Sequence, residues 1–153
     1  METFHIIFLD NVGTMNSEGD YNTYEFEEIS NIDFDEDFSN LKIDKLIYTA
    51  DLDMSYGTLK LREISPTFNS INIKSEFTHI QVDLGSNINC ELNVKFEMAD
   101  LKINRASLKV HEYTKNENSG FIASHKFRGT VGSGGDKTID IDASFGNVDV
   151  DID

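Results

Sequence analysis

Long hydrophobic runs are missing from this 153-residue chain: no stretch of about 18 apolar residues occurs, so no helix is expected to span a bilayer. Cysteine occurs once, at Cys90, which excludes an internal disulfide and leaves the redox compartment open. The single proline, Pro66, interrupts nothing that reads as a strand. No apolar pattern keeps helical periodicity beyond two turns, so helix content is expected to be very low. Basic residues are scarce: 13 Lys and Arg stand against 28 Asp and Glu, a formal net charge of −15. That balance argues against nucleic acid or an anionic membrane as partner, since both need a basic surface. Phe4 to Leu9 follow Glu2 and lead into Asp10, with no basic region before and no cleavage site after, so the stretch does not read as a signal peptide.

Chemistry-bearing motifs are equally sparse. His5, His79, His111 and His125 have no metal-ligand spacing to one another or to Cys90. Gly132 to Asp136 is glycine-rich, but one imperfect copy completes no calcium site. No Lys-Ser or Lys-Thr opens a helix after it, as a phosphate loop requires. No nucleophile elbow is present. The sequence therefore names no reaction, no cofactor and no metal, and the chain reads as a non-enzyme.

What is present is a repeat. Ile139, Ile141, Ala143, Phe145, Val148 and Val150 alternate with polar residues, the signature of a strand with one buried and one wet face. The step of three after Phe145 breaks the alternation by one residue. Centred on Phe38, Tyr56, Phe77 and Met98, the same template fits, with only Glu36 and Ser75 interrupting its apolar places. The residue after each centre is small: Ser39, Gly57, Thr78, Ala99 and Gly146. Weaker copies are centred on Tyr21 and Phe127. Steps of about 20 residues suit one coil of a solenoid.

The pattern predicts an all-β fold, a right-handed single-stranded β-helix or solenoid of about six short coils. Tyr21, Phe38, Tyr56, Phe77, Met98, Phe127 and Phe145 are expected to form an inward ladder, so that Tyr56→Asp buries a charge and costs several kcal/mol. An antiparallel meander or sandwich stays open, because Phe145-Gly-Asn-Val148 and Tyr56-Gly-Thr-Leu59 also suit two-residue hairpin turns. Residues 1–14 read as an N-terminal strand with a turn at Asn11 to Gly13, either a cap or a flanking remnant. Residues 15–153 form the solenoid domain, with an insertion at about 105–120. Leu46, Ile64 and Ala106, eight residues past a centre, suggest a brief third wall.

Stacking aligns Asp35, Asp53, Lys74, Lys95 and Asp142 in one outward column, and Asp33, Asp51, Asn72, Asn93 and Asp140 in another. Acidic rows of this kind can hold calcium or act in acid–base chemistry. Here lysines and asparagines interrupt them, which reads as a charge-balanced solvent ladder that also discourages edge pairing. The walls are uniform and are expected to offer no pocket. The insertion is the expected binding protrusion, with Tyr113 beside His111 and Glu112, and Asn116 and Asn118 near its tip.

The runs Met54-Ser-Tyr-Gly-Thr-Leu-Lys-Leu61, Phe68-Asn-Ser-Ile-Asn-Ile73, Gly129-Thr-Val-Gly132 and Ala143-Ser-Phe-Gly-Asn-Val-Asp-Val150 resemble a bacterial adhesin domain family of unknown function, of the Bacteroidetes type. The resemblance covers about residues 20–152 and implies a short-rung right-handed β-helix at the cell envelope or outside the cell. It brings no catalytic residues. It implies a non-catalytic binding or scaffold module whose partner is a protein or glycan on the cell surface. A carbohydrate-binding or carbohydrate-cleaving β-helix and a partner-docking domain of an envelope-stress system are the alternatives. The oligomeric state is not legible.

Overall fold

The computed structural model describes residues 5–104, 108–117 and 123–153. Twelve strands form one curled sheet, and the described residues contain no helix, hence none long and apolar enough to cross a membrane. The first three strands each fill a repeat: β1 (His5–Asp20), β2 (Asn22–Asp37) and β3 (Asn40–Ser55). Two strands share each of the next repeats, β4 (Thr58–Leu61) with β5 (Ser70–Glu76), and β6 (His79–Leu84) with β7 (Cys90–Glu97). After β8 (Asp100–Ile103) the chain makes a pair, β9 (Leu108–Glu117) and β10 (Ala123–Val131), and closes with β11 (Thr138–Ser144) and β12 (Asn147–Ile152).

Equivalent positions of neighbouring repeats pair in parallel. Ile32 faces Ala50, Ala50 faces Ile71, Ile71 faces Ile139, and Ile139 faces Leu92. A meander would set β4 antiparallel to β3, but Asn40 to Ile43 run parallel to Thr58 to Leu61. The repeat already begins in β1, which pairs with β2 from His5 to Asp20, so no turn interrupts Asn11 to Gly13.

The corners explain the template. Tyr21, Phe38, Tyr56, Phe77, Met98 and Phe145 all have φ between 48° and 61°. A left-handed residue there points its side chain away from the core, where continued alternation would have pointed it inward. The expected inward ladder is therefore an outward one: Tyr56 is 49% exposed and Phe145 40%. The rings still stack, Tyr21 on Phe38, Phe38 on Tyr56, Tyr56 on Phe77 and Phe77 on Phe145, at 4.8–5.0 Å between centroids. Bulky residues are strained at positive φ, by roughly 1–3 kcal/mol each. Ring stacking on two sides returns energy of the same order, about 0.5–1.5 kcal/mol per pair. The corner amides stay bonded as well: Phe38 N–H donates to the Ser55 carbonyl at 2.7 Å and Phe77 N–H to that of Ser144 at 2.9 Å.

The inward place is the next residue, and it faces backbone. A Cβ on Gly57 would lie 1.8 Å from the Ser39 carbonyl oxygen. Ser39 and Thr78, fully enclosed at the same place, turn their hydroxyls onto the carbonyls of Asp37 and Glu76. Ser39 also donates to Glu36 at 2.7 Å, and Asn22 and Ser17 hydrogen-bond the same carboxylate, which is how a charge is tolerated in an inward place. The third wall is present: Leu46 bridges Ile64, pairs with Ile29, and all three are buried. Ala106 lies outside the described residues.

Spatial order departs from chain order at one place. β11 lies between β5 and β7, and β12 between β6 and β8. Charge gives a reason. In chain order Lys74 would face Lys95, and directly opposed like charges destabilise a sheet. With β11 inserted, Asp142 separates them, its Oδ2 3.8 Å from Lys95 Nζ. Asp140 sits likewise between Asn72 and Asn93, and Asn93 Nδ2 donates to it at 2.8 Å.

Phe127 is no repeat centre. It is buried in β10, which runs antiparallel to both β7 and β9. The loop after β10 reverses the chain through Gly132, Gly134 and Gly135, all at positive φ, and so delivers β11 into its slot.

Two outcomes follow from this architecture. Tyr56→Asp is a surface change that costs about 1–2 kcal/mol through lost stacking, whereas Leu52→Ala in the core costs about 2–5 kcal/mol; urea denaturation measures both. Deleting residues 138–153 removes the partner of four strands at once, unlike loss of a terminal repeat, which opens a single interface. The shortened chain is expected to lose its cooperative thermal transition in circular dichroism; an unchanged transition contradicts the inserted order.

Candidate functional site

The residues read as a protrusion lie on β9. His111 is exposed, and its Nε2 is 2.6 Å from Thr130 Oγ1. Glu112 is 4.0 Å from Arg128 Nη1. Tyr113 is half exposed and meets Phe127 edge-on at 6.4 Å. Asn116 falls in β9, and Asn118 lies outside the described residues. The structure thus gathers His111, Glu112 and Tyr113 onto an edge strand joined to the sheet through β10, where a bulge at the Arg128/Gly129 step leaves His111 and Glu112 on one face, toward Thr130 and Arg128, and Tyr113 on the other, against Phe127.

A groove of about 660 Å³ opens on the wall expected to be featureless. It runs over β5, β11, β7 and β10, lined by side chains of both charge signs. Alternation places Lys126 and Arg128 outward on β10 while Phe127 and Val131 turn into the core. In register, Lys126 opposes Lys95 and Arg128 opposes Asn93. The two outward columns therefore continue onto the antiparallel strand, one ending in Asp142, Lys95 and Lys126, the other in Asp140, Asn93 and Arg128.

Charge is graded along these columns. The far end is acidic, with Asp33 beside Asp51 and Asp35 beside Asp53. The groove end carries Lys74, Lys95, Lys126 and Arg128, four of the 13 basic residues of the chain. Lys95 and Lys126 face each other as like charges, an arrangement that an anionic group lying between them relieves. The notable omission of sequence reasoning is the Lys126/Arg128 pair. Taking Phe127 for a repeat centre hid a strand, Ala123–Val131, in which Lys126 and Arg128 flank the inward Phe127.

No group of three or more His, Cys, Asp or Glu among the described residues is arranged to hold a metal ion. The four histidines are scattered: His79 lies 3.5 Å from Asp149, His125 stacks on Phe96, and His5 and His111 sit on separate strands. Cys90 is fully buried, and burial, reinforced by the charge of Glu91, pushes its thiol up to about 12, far from a nucleophile at neutral pH. The glycine loop is tied to the turn before β7, Ser133 N–H donating to Asn89 Oδ1 at 2.8 Å.

At the acidic end, partial burial and then the charge of Asp35 push Asp53 above its ordinary 3.8, with Lys74 opposing. The folded state thus binds this proton more tightly than the unfolded one. The penalty is complete above the folded pKa, fades as pH falls through it, and is gone below the unfolded value. Asp53→Asn is expected to raise the melting temperature by about 1–2 °C at pH 7, a gain that disappears near pH 3. Thermal melts at the two pH values check the sign.

Comparison with known proteins adds no relative: no family model, no curated protein and no solved structure matches the chain.

Proposed function

We propose that this chain is a non-catalytic, adhesin-like binding module of the bacterial envelope. Its backbone is read as a right-handed single-stranded β-helix of about six short coils, and its ligand-binding surface is the groove bordered by β10. The groove itself carries this reading. It is concave, and it offers amide, carboxylate and cationic groups in rows set by the strand spacing of about 4.8 Å. Such a surface suits an extended, hydrated chain bearing anionic groups, above all an acidic glycan. The in-register parallel stacking and the row of left-handed corners support the β-helix reading. The resemblance to the adhesin domain family supports the location.

A second reading draws on Asp140 and Asp142, two carboxylates on one face of β11 inside the groove, the kind of pair a glycoside-cleaving site uses. Both already have partners, Asn93 and Lys95. A glycan array together with a reducing-sugar assay separates the two readings. Binding without turnover is expected, weakened at least tenfold in a Lys126→Glu/Arg128→Glu variant, whose exposed positions leave the core untouched. Turnover abolished by Asp140→Asn or Asp142→Asn favours the enzyme, and no binding to any glycan removes the glycan from the proposal.

A further inference from the structure

The corner ladder is an exposed apolar strip that runs across successive repeats. Phe38, Tyr56, Phe77 and Phe145 are 40–49% exposed and Met98 51%. Hydrogen bonds from Phe145 N–H to Glu97 and from Asp100 N–H to Gly146 seat Met98 next after Phe145. The strip is continuous, because the rings stack within 10° of parallel. Each inner ring has both faces covered by its neighbours, so only edges look outward. That geometry cannot stack flat on a sugar ring, but it can receive aliphatic side chains. A contiguous apolar strip with a polar border marks a contact surface.

Its border is acidic. The residues before the corners pair into one column: Asp20, Asp37, Ser55, Glu76, Ser144 and Glu97. No lysine or arginine enters the column, and none of its four acids is ion-paired among the described residues. A second copy of the chain would bring the same acidic column against it, and an anionic bilayer would be repelled. We propose that the ladder docks a basic amphipathic helix of a partner protein. Its rings recur every 4.8–5.0 Å, close to the helical pitch of about 5.4 Å, so one apolar side chain per turn meets one ring over several turns. Lysines or arginines beside that stripe then reach the acidic column. This surface is independent of the groove and of whatever the groove binds.

Two fluorescein-labelled peptides of identical Leu/Lys composition test the proposal, one patterned for a helix and one alternating as a strand. Fluorescence anisotropy is measured against the full chain. The helix-patterned peptide is expected to bind at least tenfold more tightly than its isomer. Its affinity is expected to fall at least tenfold in Phe38→Asn/Phe77→Asn, where asparagine tolerates the left-handed corner. A similar fall is expected in Asp37→Asn/Glu76→Gln, which keeps the ladder whole and decides the matter where the first variant does not fold. Asp33→Asn/Asp35→Asn removes the same charge elsewhere and is expected to leave affinity unchanged. Equal binding of the two peptides, undiminished binding by a folded ladder variant, or an equal loss in the Asp33/Asp35 variant overturns the proposal. So does dimerisation of the chain in sedimentation that the ladder variant abolishes.

Discussion

Every repeat of this chain must turn at a residue held at positive φ, and the rest of the structure depends on how that corner is stabilised. A large side chain there is strained on its own. It is relieved only if the corners of adjacent repeats fall in register, because only then do the rings stack at 4.8–5.0 Å and the corner amides find carbonyls across the gap. Register in turn forces the following residue close to the neighbouring backbone, so after every corner but Tyr21, which Asn22 follows, it is glycine, alanine, serine or threonine. Slippage by one residue would lose the stack, the hydrogen bonds and the close approach together, and would turn the core face outward.

The outer columns add a constraint that the core does not impose. Apolar inward residues are interchangeable from repeat to repeat, so packing alone hardly distinguishes which repeat lies beside which. Charged and amide side chains do distinguish them. Asp142 between two lysines and Asp140 between two asparagines are satisfied only if β11 lies between β5 and β7. Each surface ion pair is worth little singly, up to about 1 kcal/mol. Avoiding opposed lysines and adding a hydrogen bond act in the same direction, and the glycine loop supplies the reversal that the order needs. This resembles the way polar residues choose among packings of similar core quality.

Period-two alternation, the five repeat residues of each outward column, the third wall at Leu46 and Ile64, and the small residue after each of the five clear centres were legible in the sequence because each is a local consequence of pleat and register. The side of the chain on which the aromatic centres lie was not. An alternation broken by one residue can be restored by placing either the centre or its neighbour inward, and only the sign of φ decides. The order of the columns was illegible for a different reason: pairing partners 47 residues apart, such as Asn93 and Asp140, leave no trace in spacing. Phe127 misled because an antiparallel strand and a repeat strand share the same alternation, and so Lys126 and Arg128 went unrecognised.

Regular stacking and distinctive binding surface pull in opposite directions. Where repeats follow one another in order, outward side chains form even rows, and evenness leaves a ligand little to recognise beyond charge and periodicity. The groove lies where that regularity ends. There an inserted repeat brings carboxylates among lysines, and the antiparallel strand β10 extends the columns with two further cations, Lys126 and Arg128. Its mixed charge belongs to the departure from chain order. The strand that separates Lys74 from Lys95 therefore also places two carboxylates, Asp140 and Asp142, in the groove's lining, so that any change to either perturbs strand order and groove surface at once.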